Sequence, residues 1–219
     1  VNITISNEIK KHIPHSKLGI LRYKMNVNKS TPELLGYFES VIKEIEKKYE
    51  MTDIAKITHI KETREAYKAL GKSPSQYRNA SEAMLRRIVK GNGLYTINNA
   101  VEINNLISVL SGYSIGTYDM EKLAGYIELR RAPEGERYQG IGKAEVNIAN
   151  LPVLYDEEGP FGNPTSDSHR AMMKNGEREV ISLIYSFNRE KDELKKWLER
   201  YRELLQTYAE AVDVTIGIV

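Results

Sequence analysis

Residues 159–164 hold Gly159, Pro160, Gly162 and Pro164, and the next four residues are Thr165, Ser166, Asp167 and Ser168. Glycine lets a backbone approach a ligand closely and proline limits its freedom, so a rigid loop here presents three hydroxyls and one carboxylate. Those groups can hydrogen-bond a polar substrate. They are also helix-capping residues, and SDSHRAM reads equally as a helix start with Ser166 or Asp167 as N-cap. Other chemistry is missing from the chain. There is no GxxxxGK[ST] phosphate loop, no GxGxxG, no HExxH and no GxSxG elbow. With no cysteine there is no thiol nucleophile, disulfide or thiolate metal site. Of the four histidines only His12 and His15 are close in sequence, and Pro14 between them breaks a helical pair. No metal and no cofactor are expected. An enzyme built from these residues would activate water by positioning and hydrogen bonds.

The elements that must hold such a loop follow from periodicity and punctuation. ITIS (3–6) and KLGILRYKMNV (17–27) read as strands. Between them Ser6 caps a short helix that Pro14 ends. Thr31 before Pro32 starts a helix with an apolar stripe of Leu34, Leu35, Phe38, Val41, Ile42, Ile45 and Tyr49. The spacing predicts further helices over 53–70, stopped by Gly71, from Ser81 to Lys90, and over 98–112, closed by Gly112. Short strand-like pieces follow, separated by glycine and proline: YSIGTYD, YIELRRA, KAEVNIANLPVLY and EVISLIYSF. An amphipathic helix over 190–210 carries Leu194, Trp197, Leu198, Tyr201, Leu204, Leu205 and Tyr208 on one face, with Trp197 expected in the core. VTIGIV (214–219) reads as a last strand. Helices, then strands, then a helix and a strand predict an α+β fold, a mainly antiparallel sheet with packed helices.

Hydrophobic residues at 41% and charged residues at 28% are ordinary for a globular protein. No run of 18 apolar residues and no signal-peptide pattern are present, so a cytoplasmic protein without membrane contact is expected. A net charge of +2 does not announce a nucleic-acid binder. Locally, residues 61–91 carry eight basic residues against three glutamates, a net of +5, together with Tyr67 and Tyr77. That stretch reads either as a solvated face or as a basic surface with aromatics for RNA.

Residues 101–136, VEINNLISVLSGYSIGTYDMEKLAGYIELRRAPEGE, carry a family pattern. The segment resembles the tRNA-editing module, the B-three/B-four domain, of the phenylalanyl-tRNA synthetase beta subunit. Its V-D-I-x-N start matches at Val101, Ile103 and Asn105, followed by Gly112 seven residues on. Its D-x-x-K-x-x-G-x-I-x-x-R-x-A-x-x-G-E run matches without a gap at Asp119, Lys122, Gly125, Ile127, Arg130, Ala132, Gly135 and Glu136. The resemblance extends more loosely over 60–187, which implies one domain over 1–219 with 60–187 as the editing-module core. Residues 1–59 and 188–219 would frame it as a freestanding protein.

The resemblance implies hydrolysis, in trans, of the ester of a mischarged tRNA. In the synthetase the chief target is tyrosine on phenylalanine tRNA. Carried onto this chain, Asn105 orients substrate or water, and Asn104, Gly116 and Thr117 line the pocket. Gly162, Asn163, Ser166 and Ser168 bind substrate, Thr165 binds it or stabilises the oxyanion, and Asp167 is a weak base or an amine binder. Arg78, Arg86, Arg87 and Lys90 contact phosphates, the partner being the aminoacylated 3′ end of a tRNA. Three positions depart from the family. The histidine of its H-A-F-D is Gly116, the threonine before the asparagine is Asn104, and its G-G-E-x-S-G loop reads GPFGNPTSDS without a glutamate at Asn163, Pro164 or Thr165. Tyrosine selectivity therefore does not carry over, and Gly116 is expected to leave a pocket larger or differently polar than the synthetase's. The alternatives are a non-catalytic tRNA- or RNA-binding protein, or a sensor of a free amino acid or nucleotide on the same fold.

Overall fold

Capping residues and apolar alternation set the first elements. The computed structural model describes residues 1–142 and 144–219. β1 (Ile3–Ile5) runs into α1 (Asn7–His12), whose first turn closes when Ser6 Oγ accepts the Ile9 amide at 3.2 Å. β2 (Lys17–Val27) is followed by α2 (Pro32–Lys48), capped by Thr31 Oγ1 accepting the Leu34 amide at 3.2 Å. Then come α3 (Thr58–Ala69), α4 (Ala80–Val89), α5 (Asn99–Ser111) and β3 (Ile115–Asp119). The strands β4 (Ile127–Arg131), β5 (Arg137–Gln139), β6 (Glu145–Asn147), β7 (Pro152–Asp156), β8 (Gly159–Gly162) and β9 (Gly176–Ser186) precede α6 (Asp192–Ala209) and β10 (Val212–Ile218).

The fold is α+β, and the described residues form two four-stranded sheets and a two-stranded ribbon, β5-β6. One sheet has the order β1-β4-β7-β8, its β1–β4 pair parallel and its other pairs antiparallel. The other, β10-β2-β9-β3, is antiparallel throughout. Its strands β2 and β10 come from outside 60–187, so the two ends of the chain are built into the same sheet as β3 and β9. Leu21, Tyr23, Met25 and Val27 of β2 pack with residues of α2, α4, α5 and α6 in one apolar cluster. Leu18 and Ile20, on the other face, pack with Ile127, Leu129, Leu154 and Phe161. The β10-β2-β9-β3 sheet is thus the middle layer, which is why residues 17–21 are buried without alternation. Gly19 permits the close approach of α6, because a Cβ there would lie 2.9 Å from Leu194 Cδ1.

Four expectations are corrected. The helix predicted over 53–70 is a 3-10 turn, Met51–Lys56, and α3, separated at Ile57, whose ψ of 129° leaves the helical region. The cap of α4 is Asn79, whose Oδ1 accepts the Glu82 amide at 2.9 Å, while Ser81 is buried and donates to the Ser108 carbonyl. GPFG is a strand rather than loop, paired with β7. Trp197 is only half-buried and its indole N–H donates to Glu193 at 3.2 Å. The inward line of α6 is taken by Leu194, Leu198, Tyr201 and Leu205, which leaves the tryptophan at its margin. Among the described residues, no helix is long and apolar enough to cross a membrane.

Candidate functional site

The start of α5 is anchored by its own side chains. Asn98 Oδ1 accepts the Val101 amide at 2.9 Å. Buried Glu102 accepts the Ile97 and Asn98 amides, each at 3.1 Å, and the Ser30 hydroxyl at 3.0 Å. Burial raises the Glu102 pKa against those hydrogen bonds. With the helix start fixed, Val101, Asn104 and Asn105 share one face at i, i+3 and i+4. They face β3, where Ile115 and Thr117 lie on one side of the strand and Gly116 and Tyr118 on the other.

Between these elements lies a cavity of about 390 Å³. Met84 of α4, Ile97, Val101, Ile115, Met172 and Met173 supply most of its apolar wall, and Asn104, Asn105, Thr117 and Asp167 its chief polar groups. The asparagine pair continues into the protein. Thr117 Oγ1 donates to Asn104 Oδ1 at 2.8 Å and receives hydrogen bonds from the Ser182 and Tyr201 hydroxyl groups at 2.8 and 3.1 Å. Tyr23 extends the network through Ser182 at 2.8 Å. Asn104 Nδ2 donates to Asn105 Oδ1 at 3.1 Å. The carboxamide orientation of Asn105 is thereby set, and its Nδ2 is left as the donor at the cavity wall.

Asp167 brings charge to the cavity. Its Oδ1 accepts the Tyr118 hydroxyl at 2.7 Å, and Tyr118 lies 3.3 Å from the Tyr185 hydroxyl. Burial pushes the Asp167 carboxyl up to about 7, against the stabilising hydrogen bonds from Tyr118 and the Asn163 amide. The residue as a whole is only half-buried because part of its surface is cavity wall. The Tyr118 phenol is raised well above its ordinary value by burial and by the Asp167 charge, so it stays protonated and can only donate to the carboxylate.

Two glycines make room for that pair. A Cβ at Gly116 would lie 1.9 Å from the Tyr118 hydroxyl, and one at Gly162 would lie 2.1 Å from it. The space beside Gly116 is therefore occupied by a tyrosine hydroxyl on the face of β3 away from Thr117. Of the two expectations for Gly116, the enlarged pocket is not what the structure has: the space beside the glycine is filled by the Tyr118 hydroxyl.

The remaining loop residues hold the loop itself. Thr165 donates to the Tyr77 carbonyl at 2.9 Å and receives the Tyr67 hydroxyl at 2.7 Å; it is not in the cavity wall. Asn163 Oδ1 accepts the amides of Thr165 and Ser166 at 2.7 and 3.0 Å, and its Nδ2 donates to Tyr138 and to the Ser166 carbonyl. Ser168 caps the 3-10 turn His169–Ala171 by accepting the Arg170 amide at 3.2 Å. The cap expected at Ser166 or Asp167 thus falls to Ser168, which leaves Asp167 with its side chain on Tyr118.

The basic segment divides between two faces of α4. Glu82, fully buried, accepts two hydrogen bonds from Arg64 Nη1 at 3.0 and 2.9 Å and one from Arg86 Nε at 3.0 Å; Arg78 Nε is 3.9 Å away. Three guanidinium groups share one carboxylate there. Arg87 instead lies one turn from Met84, which lines the cavity, and Lys90 is exposed a turn farther on. Sequence reasoning missed Tyr118, Ser182, Tyr201 and the two methionines after the loop. The alternation of β3 was a signal for Tyr118, but nothing local pairs residue 117 with residues 182 and 201.

A model of the B3/4 domain family matches residues 62–209. The phenylalanine–tRNA ligase beta subunit of Bartonella henselae is 33% identical over 82 residues, 37% of this chain and 10% of that protein. The corresponding subunit of Bifidobacterium longum is 24% identical over 125 residues, 49% of this chain and 14% of that protein. The chain thus matches only 10 to 14% of the length of these relatives. An N-terminal fragment of the phenylalanyl-tRNA synthetase beta subunit from Pyrococcus horikoshii superposes with a TM-score of 0.49 at 12% identity, over 99% of this chain and 50% of that one. The matched span runs from within α3 to the last residue of α6, well over half of the chain, and the protein belongs to the B3/4 domain family.

Proposed function

We propose that the protein binds the aminoacylated 3′ end of a tRNA and hydrolyses a mischarged ester in trans within the α5–β3 cavity. The observation that carries this reading is the convergence of an oriented amide donor, Asn105, and a carboxyl with a pKa of about 7, Asp167, on one largely apolar cavity. Family membership supports the tRNA context, and the relatives' names supply it.

Asn105 Nδ2 donates to the ester carbonyl oxygen and strengthens that bond as negative charge develops on it. Asp167, held through Oδ1 by Tyr118, uses Oδ2 to take a proton from water near neutral pH. The water oxygen bonds to the carbonyl carbon. The carbon–oxygen bond to the ribose then breaks, and the proton held by Asp167 passes to the departing ribose oxygen. Thr117 and Asn104 position Asn105. Gly116, Gly162, Asn163, Thr165, Ser166 and Ser168 act behind the cavity, seating Tyr118 and fixing the loop that carries Asp167. The apolar wall suits an apolar acyl side chain, because a hydroxyl placed among Met84, Ile97, Val101 and Ile115 would lose its water without gaining a partner. Of the basic residues, Arg87, one turn from Met84, the exposed Lys90, and Arg78, which is 47% exposed and only 3.9 Å from Glu82, are the phosphate contacts. Arg86 is committed to Glu82.

The test is a deacylation screen with a panel of correctly and incorrectly charged tRNAs. Hydrolysis above background is expected for at least one mischarged tRNA carrying an apolar residue, with a rate that rises as pH passes through about 7. Absence of hydrolysis across the panel, together with saturable binding of a free amino acid, would leave the sensor reading in its place.

A further inference from the structure

The stretch after α4 is folded back by two glycines in the left-handed region, Gly91 at φ 81° and Gly93 at φ 56°. The turn is stitched to the helix on both sides. The Asn92 amide donates to the Arg87 carbonyl at 3.1 Å, and Arg87 Nη2 donates to the Asn92 carbonyl at 3.3 Å. This places Tyr95 against Arg87, whose guanidinium carbon lies 4.3 Å from the ring centroid. Tyr95 is 71% exposed and Ile97 is 64% exposed, the two largest exposures of large apolar or aromatic side chains among the described residues.

Exposed aromatic surface of this kind is not spread at random. Ile97 lines the cavity, and Arg87 sits one helical turn from Met84, which lines it too. The Arg87 Nε is buried without a hydrogen-bond partner among the described residues. A flat guanidinium stacked on an open phenol ring, with Lys90 exposed a turn farther on, is an arrangement of π-face and positive charge suited to a base and its phosphate. An apolar protein partner would find a guanidinium and a lysine at the centre of its contact.

We infer that the Arg87–Tyr95 pair is the platform on which the terminal nucleobase of the acceptor end stacks, so that the ester attached to its ribose enters the cavity past Ile97. The inference rests on the reading that the ligand is an aminoacylated tRNA end, and adds the subsite that grips its base. The platform is indifferent to which amino acid is attached.

The test uses the whole protein with two probes, a trinucleotide of the tRNA 3′-end sequence and intact tRNA, alongside tRNA trimmed of its terminal nucleotide. Tyr95→Ala is expected to weaken both the trinucleotide and the intact tRNA by about tenfold, while Tyr95→Phe, which keeps the ring, stays within about twofold of wild type. Trimmed tRNA should bind wild type and Tyr95→Ala alike. Tyr95 is exposed, so the variant keeps its fold. Equal affinity of wild type and Tyr95→Ala for intact tRNA overturns the inference, as does an equal loss for trimmed and intact tRNA. If the wild type deacylates a charged tRNA and Tyr95→Ala does so at the same rate and half-saturation, the platform falls and the enzyme reading stands. If the wild type binds neither RNA and hydrolyses nothing, both fall.

Discussion

Replacing Asp167 by asparagine removes a charge that the fold holds at a cost. The carboxyl moves from an ordinary value of 3.8 to about 7 on folding. A shift of about three units at about 1.36 kcal/mol each bounds the effect at about 4 kcal/mol. Water in the cavity screens part of this, and about 2 to 4 kcal/mol is expected. The direction is fixed by linkage. A carboxyl whose pKa is raised in the native state binds more protons there than in the unfolded chain, so stability falls as pH rises from about 4 through about 7. Asparagine keeps an Oδ1 that accepts the Tyr118 hydroxyl and carries no charge at any pH. Urea unfolding of wild type and Asp167→Asn at pH 4.5, 6 and 8 reads the difference. The variant should match wild type within about 1 kcal/mol at pH 4.5 and exceed it increasingly toward pH 8. A wild type that gains on the variant as pH rises would refute the reasoning, because the carboxylate would then be stabilised by the fold. The same substitution should remove the rise of deacylation through pH 7.

Three further substitutions test how the surrounding fold is held. Glu82→Gln leaves Arg64, Arg78 and Arg86 without their shared carboxylate and should cost about 3 kcal/mol in urea unfolding; a loss under about 0.5 kcal/mol would mean that solvent already screens the cluster. Gly116→Ala drives a methyl into the Tyr118 hydroxyl and should destabilise by about 1 to 3 kcal/mol, an outcome contradicted by unchanged stability. Trp197→Ala, at the margin of α6, should cost about 1 to 2 kcal/mol, and a loss above about 3 kcal/mol would put the indole back in the core.

The parts of this fold that were legible in sequence are those governed by neighbours along the chain. Thr31 and Ser6 cap as their types require, Gly112 ends α5 in the left-handed region with φ 86°, and the alternation in 17–27 is a strand. The residues around Asn105 were singled out through a family pattern, and the structure sets Asn104, Asn105 and Thr117 along one cavity wall. What was not legible depends on contacts between distant segments. Glu82 looked like one charge among many until Arg64, eighteen residues earlier, was seen folded onto it. Gly116 looked like a lost side chain, and its meaning changed because Gly162, from the other sheet, shares the same tyrosine hydroxyl. Thr165 and Asp167 were indistinguishable as loop polar groups. Their partners, Tyr67 and Tyr118, lie 98 and 49 residues away.

The central claim is that Asn105 supports the carbonyl of an ester held in the α5–β3 cavity. Single-turnover hydrolysis of the preferred mischarged tRNA, with the protein in excess, measures it directly for wild type and Asn105→Ala. The account predicts a rate about 10²-fold lower in the variant with half-saturation nearly unchanged. An unchanged rate at saturating protein, with wild type active, would contradict it.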